Sequence, residues 1–308
     1  MSAGWLPDGA FSGNASGGAG AAFLKLPAGS RTAAMGGAGA AAARGPEALF
    51  HNPALLARFE PEARQEAALD YGRLLETSYA GSAAYARPLG RDGALAAGLV
   101  YAGQGAQTAY DAQGNAGGTF RSNDLALGAA YAHRLGRLRL GGGLKVIRQS
   151  LDDRSATGAA LDLGVSAPHV SEIGEGPFDL GASVSHLGPP LKLGATADPL
   201  PLRVRLGGNW RATPVFDAAA DIVLPADGSA FLALGFEARL PAARLGSAKD
   251  WSAALRLGFD QDHMREVDGL TGLTAGFGLD LSGMRVDYAW VPYGDLGTTN
   301  RVTLAFRF

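Results

Sequence analysis

The residues able to do chemistry fall in rows. Asp162, Asp179, Arg203, Arg205, Asn209, Arg211, Asp217, Asp221, Glu237, Arg239, Arg256, Asp260, Asp280, Arg285 and Asp287 each sit at alternate positions of apolar segments. Paired carboxylates in such rows have the right chemistry for general acid and base work, but no cleft signature accompanies them. There is no Gly-x-Ser-x-Gly elbow and no phosphate-binding P-loop. His51, His133, His169, His186 and His263 show no metal-ligand spacing. Gly37-Ala38-Gly39-Ala40-Ala41-Ala42 imitates a dinucleotide turn, but no hydrophobic strand precedes it. Asp152, Asp153 and Asp262 read as solvated loop charge. The reading is therefore no enzyme, no cofactor and no metal.

What the rows do depends on the elements that carry them. From about Pro61 the chain is a series of period-two segments, such as Leu95/Ala97/Leu99/Tyr101 and Leu202/Val204/Leu206/Gly208/Trp210, and alternation of this kind marks strands. About fourteen such segments can be traced, the even number that single-chain bacterial barrels use. The last reads Thr299-Asn300-Arg301-Val302-Thr303-Leu304-Ala305-Phe306-Arg307-Phe308. Its apolar face stays unbroken to the final residue, and the opposite face accepts arginine, as a barrel-closing membrane strand requires. A soluble sandwich or propeller is the rival, but no blade motif recurs.

The expected fold is all-β: a transmembrane antiparallel barrel (residues 61–308) preceded by an N-terminal segment (residues 1–60). Short turns such as 88–92 and 282–283 alternate with long connections at 103–122, 150–157, 187–198 and 261–272, which puts both termini on the short-turn, periplasmic side. The connections 169–176 and 241–250 are longer than that rule prefers. Trp210, Trp251, Trp290, Phe306 and Phe308 are expected at the membrane interfaces. In this arrangement the charged rows point into the lumen. An unpaired charge there is costly, so Arg203, Arg205, Asp217, Glu237, Arg239, Arg256, Asp280, Arg285 and Asp287 form a ladder that stiffens the wall. Arg203 and Arg205 are expected to meet Asp179 and Asp217; Arg285 and Asp287 are expected beside Arg301, Arg307 and Asp280.

Bulk properties agree. Hydrophobic residues make up 47%, charged residues 18%, and the formal net charge is −2. The low charged fraction and the absence of a basic excess argue against nucleic acid. Zero cysteines exclude a disulfide frame. The longest apolar stretches hold about eight residues against the roughly 20 of a spanning helix. The opening Met1-Ser2-Ala3-Gly4-Trp5-Leu6-Pro7-Asp8 has neither the basic start nor the apolar core of a leader, so an exported chain is expected to have lost one before it.

Residues 19–57 differ in texture. They are rich in Gly and Ala and carry Phe23-Leu24-Lys25, Met35-Gly36-Gly37 and Asn52-Pro53-Ala54 in that order. This text closely resembles the start of the PorV/PorQ family, a branch of the FadL-type outer-membrane barrels. The resemblance implies a fourteen-stranded barrel in the bacterial outer membrane whose N-terminal segment folds into the lumen as a plug. The residues support this independently. Inner-face glycines (Gly98, Gly128, Gly141, Gly143, Gly164, Gly181, Gly235, Gly258, Gly276 and Gly278) leave room for a second backbone. Pro46 and Glu47 suit a helix start. Asn52 suits a cap, and Leu49, Phe50 and Leu55 suit wedges against the wall.

Two functions follow as expectations. The family implies a docking or shuttle component of type IX-like protein secretion, with loops 103–122 and 261–272 as contact surface. One departure stands against it: Leu55-Leu56 follows the Asn-Pro-Ala triplet where Gly-Leu is usual. The alternative is a FadL-like transporter of hydrophobic small molecules, with a pocket lined by Phe23, Leu24, Leu26, Phe50 and Leu55 and a basic residue such as Lys25 or Arg31. Expected partners are outer-membrane lipid, other envelope or secretion proteins, and the barrel assembly machinery through the C-terminal strand.

Overall fold

The computed structural model describes residues 4–58, 65–245, 250–265 and 269–308. Fourteen strands form one closed antiparallel barrel in simple up-and-down order. They are β1 (Glu66–Arg73), β2 (Ser78–Leu89), β3 (Gly93–Tyr110), β4 (Ala116–Leu135), β5 (Leu138–Leu151), β6 (Arg154–Ile173) and β7 (Gly176–Leu187), then β8 (Arg203–Thr213), β9 (Phe216–Pro225), β10 (Phe231–Pro241), β11 (Trp251–Asp260), β12 (Leu273–Leu281), β13 (Met284–Pro292) and β14 (Thr298–Arg307). Each contains one of the apolar rows read from the sequence. The expected boundary at residues 60/61 lies outside the described residues, as do parts of 241–250 and 261–272.

Alternation sets which way each side chain points. Where β1 meets β14 the register puts Ala67 opposite Phe306, Leu69 opposite Leu304 and Tyr71 opposite Val302, all on the outer face. Glu66, Asp70, Arg301 and Thr303, one residue out of phase, are buried inside. A slip of one residue would turn Asp70 and Arg301 toward lipid, so register is strongly specified. Leu144 and Leu255 are 69% and 71% exposed. With closure removing every strand edge, this is a wall built for hydrocarbon. Aromatic rings gather at both rims. Trp210, Trp251, Phe306 and Phe308 lie toward the short-turn end, where Tyr85 stacks on Phe308 at 6.5 Å and Phe216 on Phe236 at 6.4 Å. Trp290 lies toward the opposite end, as do Tyr79 and Tyr101.

Several connections are shorter than expected. β3 and β4 stay paired far beyond the membrane belt, leaving 111–115 as the turn within 103–122. The connections 150–157 and 169–176 shrink to Asp152-Asp153 and Gly174-Glu175. In these stretches the ladder continues on backbone hydrogen bonds, with polar and small side chains that carry no apolar alternation. The connection after β7 is a real loop, tied by the Leu191–Asp198 bridge.

The expected position of the N-terminus is also corrected. Gln65 and Phe308 bond to each other at the short-turn end. The first described residues instead lie at the long-loop end, where the Phe11 amide donates to the Ala226 carbonyl at 3.0 Å. The reason is that residues 4–58 run through the lumen from one mouth toward the other. They form 3-10 turns and two short helices, α1 (Ser30–Ala34) and α2 (Ala48–His51).

Candidate functional site

The lumen has two parts, and the N-terminal segment builds both. In the half nearer the short turns, charge lines the space. The Arg31 guanidinium donates to Glu237 at 2.8 Å, and Arg44 pairs with Asp217. Arg239 reaches Asp217 at 2.8 Å and Glu237 at 3.2 Å. Arg256 bridges Glu237 and Asp287, each at 2.7 Å. Arg285 holds Asp287 at 2.8 Å, Glu66 at 3.2 Å and Glu47 at 3.6 Å. Arg58 donates to Asp179 at 2.9 Å, and Arg307 pairs with Asp280.

Arg239, Arg256, Glu237, Asp217, Asp280, Arg285 and Asp287 thus stand in the expected ladder, but its rungs are partly different. Arg203 and Arg205 do not meet Asp179 or Asp217. The β8–β9 register sets Arg203 opposite Pro225 and Arg205 opposite Val223, near the long-loop end, whereas Asp179 and Asp217 lie near the other. Arg205 instead lies 3.7 Å from Asp221 and donates to the Gly37 carbonyl at 3.0 Å. Arg203 donates to the Lys25 carbonyl at 3.2 Å. Arg285 takes acids from β1 and from the N-terminal segment, while Asp280 takes Arg307.

The sequence motifs of that segment become tethers. Asn52, fully buried, donates to the Ala40 carbonyl at 2.7 Å and the Val165 carbonyl at 3.1 Å, and accepts from the Ala54 amide at 3.1 Å. It is a cap that also joins the segment to the wall. Pro53 and Ala54 lie against Gly141, where any Cβ would collide with their backbone. Met35 is fully buried against Gly235, and Gly36, with φ of +63°, lies on Gly258 and accepts no side chain. The Gly36 amide donates to Thr274 at 3.1 Å. Asp221 accepts both the Gly39 and Ala40 amides, at 2.8 and 2.9 Å. Lys25 is salt-bridged to Asp227 at 2.8 Å, and Gly37 is partly open. Phe23 and Leu24 pack with Leu191 and Leu200 of the loop after β7, at the outer mouth.

Burial dominates the electrostatics of this segment. Glu47 is buried beside Glu66, Asp70 and Asp287, and one of its oxygens has no hydrogen-bond partner. Loss of hydration pushes its carboxyl up to about 8; Arg285 opposes the shift and the neighbouring acids add to it. Burial and nearby arginines push His51 down to about 4, and its neutral ring donates to the Ala28 carbonyl at 2.8 Å.

The half nearer the long loops holds a cavity of about 1200 Å³, open solvent at its mouth included. Leu24, Leu26, Phe50, Val100, Ala126 and Phe231 supply much of its apolar lining. Lys145, Asp162, His186, Arg203, Arg205 and His263 supply polar groups. Lys145 contacts Asp162 at 2.6 Å and His186 at 2.9 Å. The Nε of Arg203 is buried without a hydrogen-bond partner. Of the pocket expected from sequence, Leu24, Lys25, Leu26 and Phe50 are in place. Phe23 lies in the mouth cluster, Leu55 packs against Ala86 and Ala94, and Arg31 belongs to the charge-lined half. Lys145 and His186 were missed. Lys145 carries a signal, since it alone is charged between outward Leu144 and Val146. His186 does not, because a β-bulge at the β6–β7 register shift re-aims it.

No family model matches the sequence, and no curated protein matches it. Solved structures do. The chain is similar to the toluene transporter TbuX of Ralstonia pickettii, with 18% identity, a TM-score of 0.64, and coverage of 92% of this chain and 100% of that one. The toluene transporter TodX of Pseudomonas putida gives 14% identity and a TM-score of 0.58, over 91% and 96% of the two chains. A Pseudomonas aeruginosa FadL homologue gives 10% and 0.56, over 91% and 98%. The shared property is the FadL-type barrel fold. These likenesses support that wider fold and not the PorV/PorQ branch in particular. The expectation of a secretion component gains nothing from them, and the transport expectation fits them better.

Proposed function

We propose that this chain sits in the bacterial outer membrane and conducts hydrophobic small molecules, in the manner that its solved neighbours' descriptions as transporters suggest. The carrying observation is the cavity of about 1200 Å³ between the N-terminal segment and the wall. Ion pairs line the lumen below it, so an apolar solute entering the cavity cannot continue along the barrel axis without crossing charge. The wall is the cheaper way out. Pairing of β6 with β7 is interrupted between Leu161 and Leu163, beside cavity-lining Asp162 and His186. Arg203 supplies one guanidinium for an acceptor group on the solute.

The test is to narrow the cavity. Val100→Phe adds a ring to the lining from a strand whose outer face is untouched. Hydrocarbon uptake by cells expressing this variant is expected to fall about tenfold, since a filled pocket removes most of the contact area an apolar solute gains. Folded-barrel yield is expected to stay level. Unchanged uptake, with the ring confirmed in the cavity, defeats the proposal. Native mass spectrometry of the purified wild-type chain is expected to show a bound small apolar molecule that the variant lacks.

A further inference from the structure

The short-turn rim is electrically lopsided. On the side of β9–β14, three arginines are matched: Arg239 with Asp217, Arg307 with Asp280 and Arg285 with Asp287. Exposed Arg244 is a lone one there, without a salt bridge among the described residues. Across β2–β5 none is matched. Arg87 lies on the outer face of β2 two residues before Leu89 ends it, Arg91 lies in the turn before β3, Arg137 lies in the turn before β5, and all three are exposed. Arg134 and Arg139 stand directly opposite each other in the β4–β5 ladder. Among the described residues none of these five arginines is in a salt bridge, and Asp92 is the one acid in their two turns. The turns are neighbours, joined by the Arg134 amide donating to the Asp92 carbonyl at 2.7 Å.

Like charges opposite one another destabilise a sheet. Arg139 has Asp179 acting on it within the lumen, but the three exposed arginines have only Asp92 in their turns and form a positive patch that suits an anionic ligand. The surroundings say what kind. Outward Tyr85 and Tyr131 lie level with these arginines, and the Tyr131 hydroxyl is 3.1 Å from Nδ1 of His133. Leu89, Leu135 and Leu138 are exposed beside them. An aromatic belt marks the headgroup level of a bilayer. Further from the turns on the same strands, outward Leu127 and Leu144 are exposed, so the patch matches a molecule that is anionic at one end and apolar at the other.

We infer that Arg87, Arg91 and Arg137, with His133 and Tyr131, bind the phosphate-bearing headgroup of an anionic glycerophospholipid in the leaflet at the short-turn end. Its acyl chains run toward the membrane interior along Leu127 and Leu144. Arg134 and Arg139, turned inward, add to the field without touching the lipid. The inference concerns the outside of the wall and stands whatever the cavity carries.

Native mass spectrometry of the full chain in detergent, with phosphatidylglycerol and phosphatidylethanolamine added in equal amounts, tests this. The wild-type barrel is expected to retain the anionic lipid preferentially. The triple change Arg87→Gln, Arg91→Gln, Arg137→Gln removes the charges that attract an anionic headgroup and is expected to cut that preference about tenfold or more. The matching Arg→Lys triple keeps the charges and is expected to keep most of the preference. Arg244→Gln, at the same rim on the far side, is expected to change nothing. A gel shift on heating checks that each variant is folded. Equal retention of the two lipids by wild type overturns the inference, as does a preference that survives the Gln triple. An acidic protein captured through these arginines, with no lipid preference, overturns it too.

Discussion

At the residue scale, one carboxyl makes the sharpest prediction. Glu47 lies between the N-terminal segment and the wall, and Arg285, its cation, is already engaged by Asp287 and Glu66. Its affinity for the proton is higher folded than unfolded, rising to about 8. The stability this adds is complete below the ordinary carboxylate range and is lost as pH rises through about 8. Glu47→Gln is therefore expected to stabilise the folded barrel at pH 9, by about 1–3 kcal/mol, and to matter little at pH 4. Urea unfolding followed by gel shift at the two pH values reads this. His51 has the opposite sign: its contribution is present above its ordinary value of 6.5 and is lost as pH falls through about 4. Asn52 was legible as a cap, because Asn before Pro ends a helix. Its bond to the Val165 carbonyl was not, because Val165 is remote in sequence.

At the element scale, the strands were legible and their ends were not. Every apolar row became a strand, because a lipid-facing position tolerates only apolar residues and leaves a period of two. Beyond the hydrocarbon that constraint stops, so the extensions of β3 and β4 carried no signal. The inner-face glycines read as space for a second backbone, and at Gly141, Gly164, Gly181 and Gly258 the backbone of the N-terminal segment fills it. Gly141→Val forces a side chain into Pro53 and Ala54. Overpacking of this kind costs about 1–3 kcal/mol, and here the obstacle is backbone with little room to shift. The expected result is a barrel that still closes but whose residues 45–58 are cut faster by protease. Cleavage at the wild-type rate contradicts the packing described.

At the scale of the whole molecule, the outer surface decides behaviour. A closed barrel with exposed leucines on nearly every strand is expected to stay monodisperse in detergent and to aggregate when detergent is removed; sedimentation in the two conditions distinguishes this from a soluble β-protein. The threading of the N-terminal segment follows from the same closure. The cylinder leaves an interior too wide for its own small side chains, and a Gly/Ala-rich segment fills it at low steric cost. Residues 4–20 then emerge beside the long loops, which no local pattern announces.

By itself the sequence determined an all-β barrel of about fourteen strands, its inside and outside, the inward direction of its charges and the small-residue text that enters the lumen. Each depends on a period of two or on local composition, which neighbours in sequence carry. The tertiary structure decided which arginine meets which acid, where space is left open, and which end of the lumen the ion pairs cross. Those depend on register between strands and on a bulge at His186, and the energies that set register are spread across the whole ring of pairings.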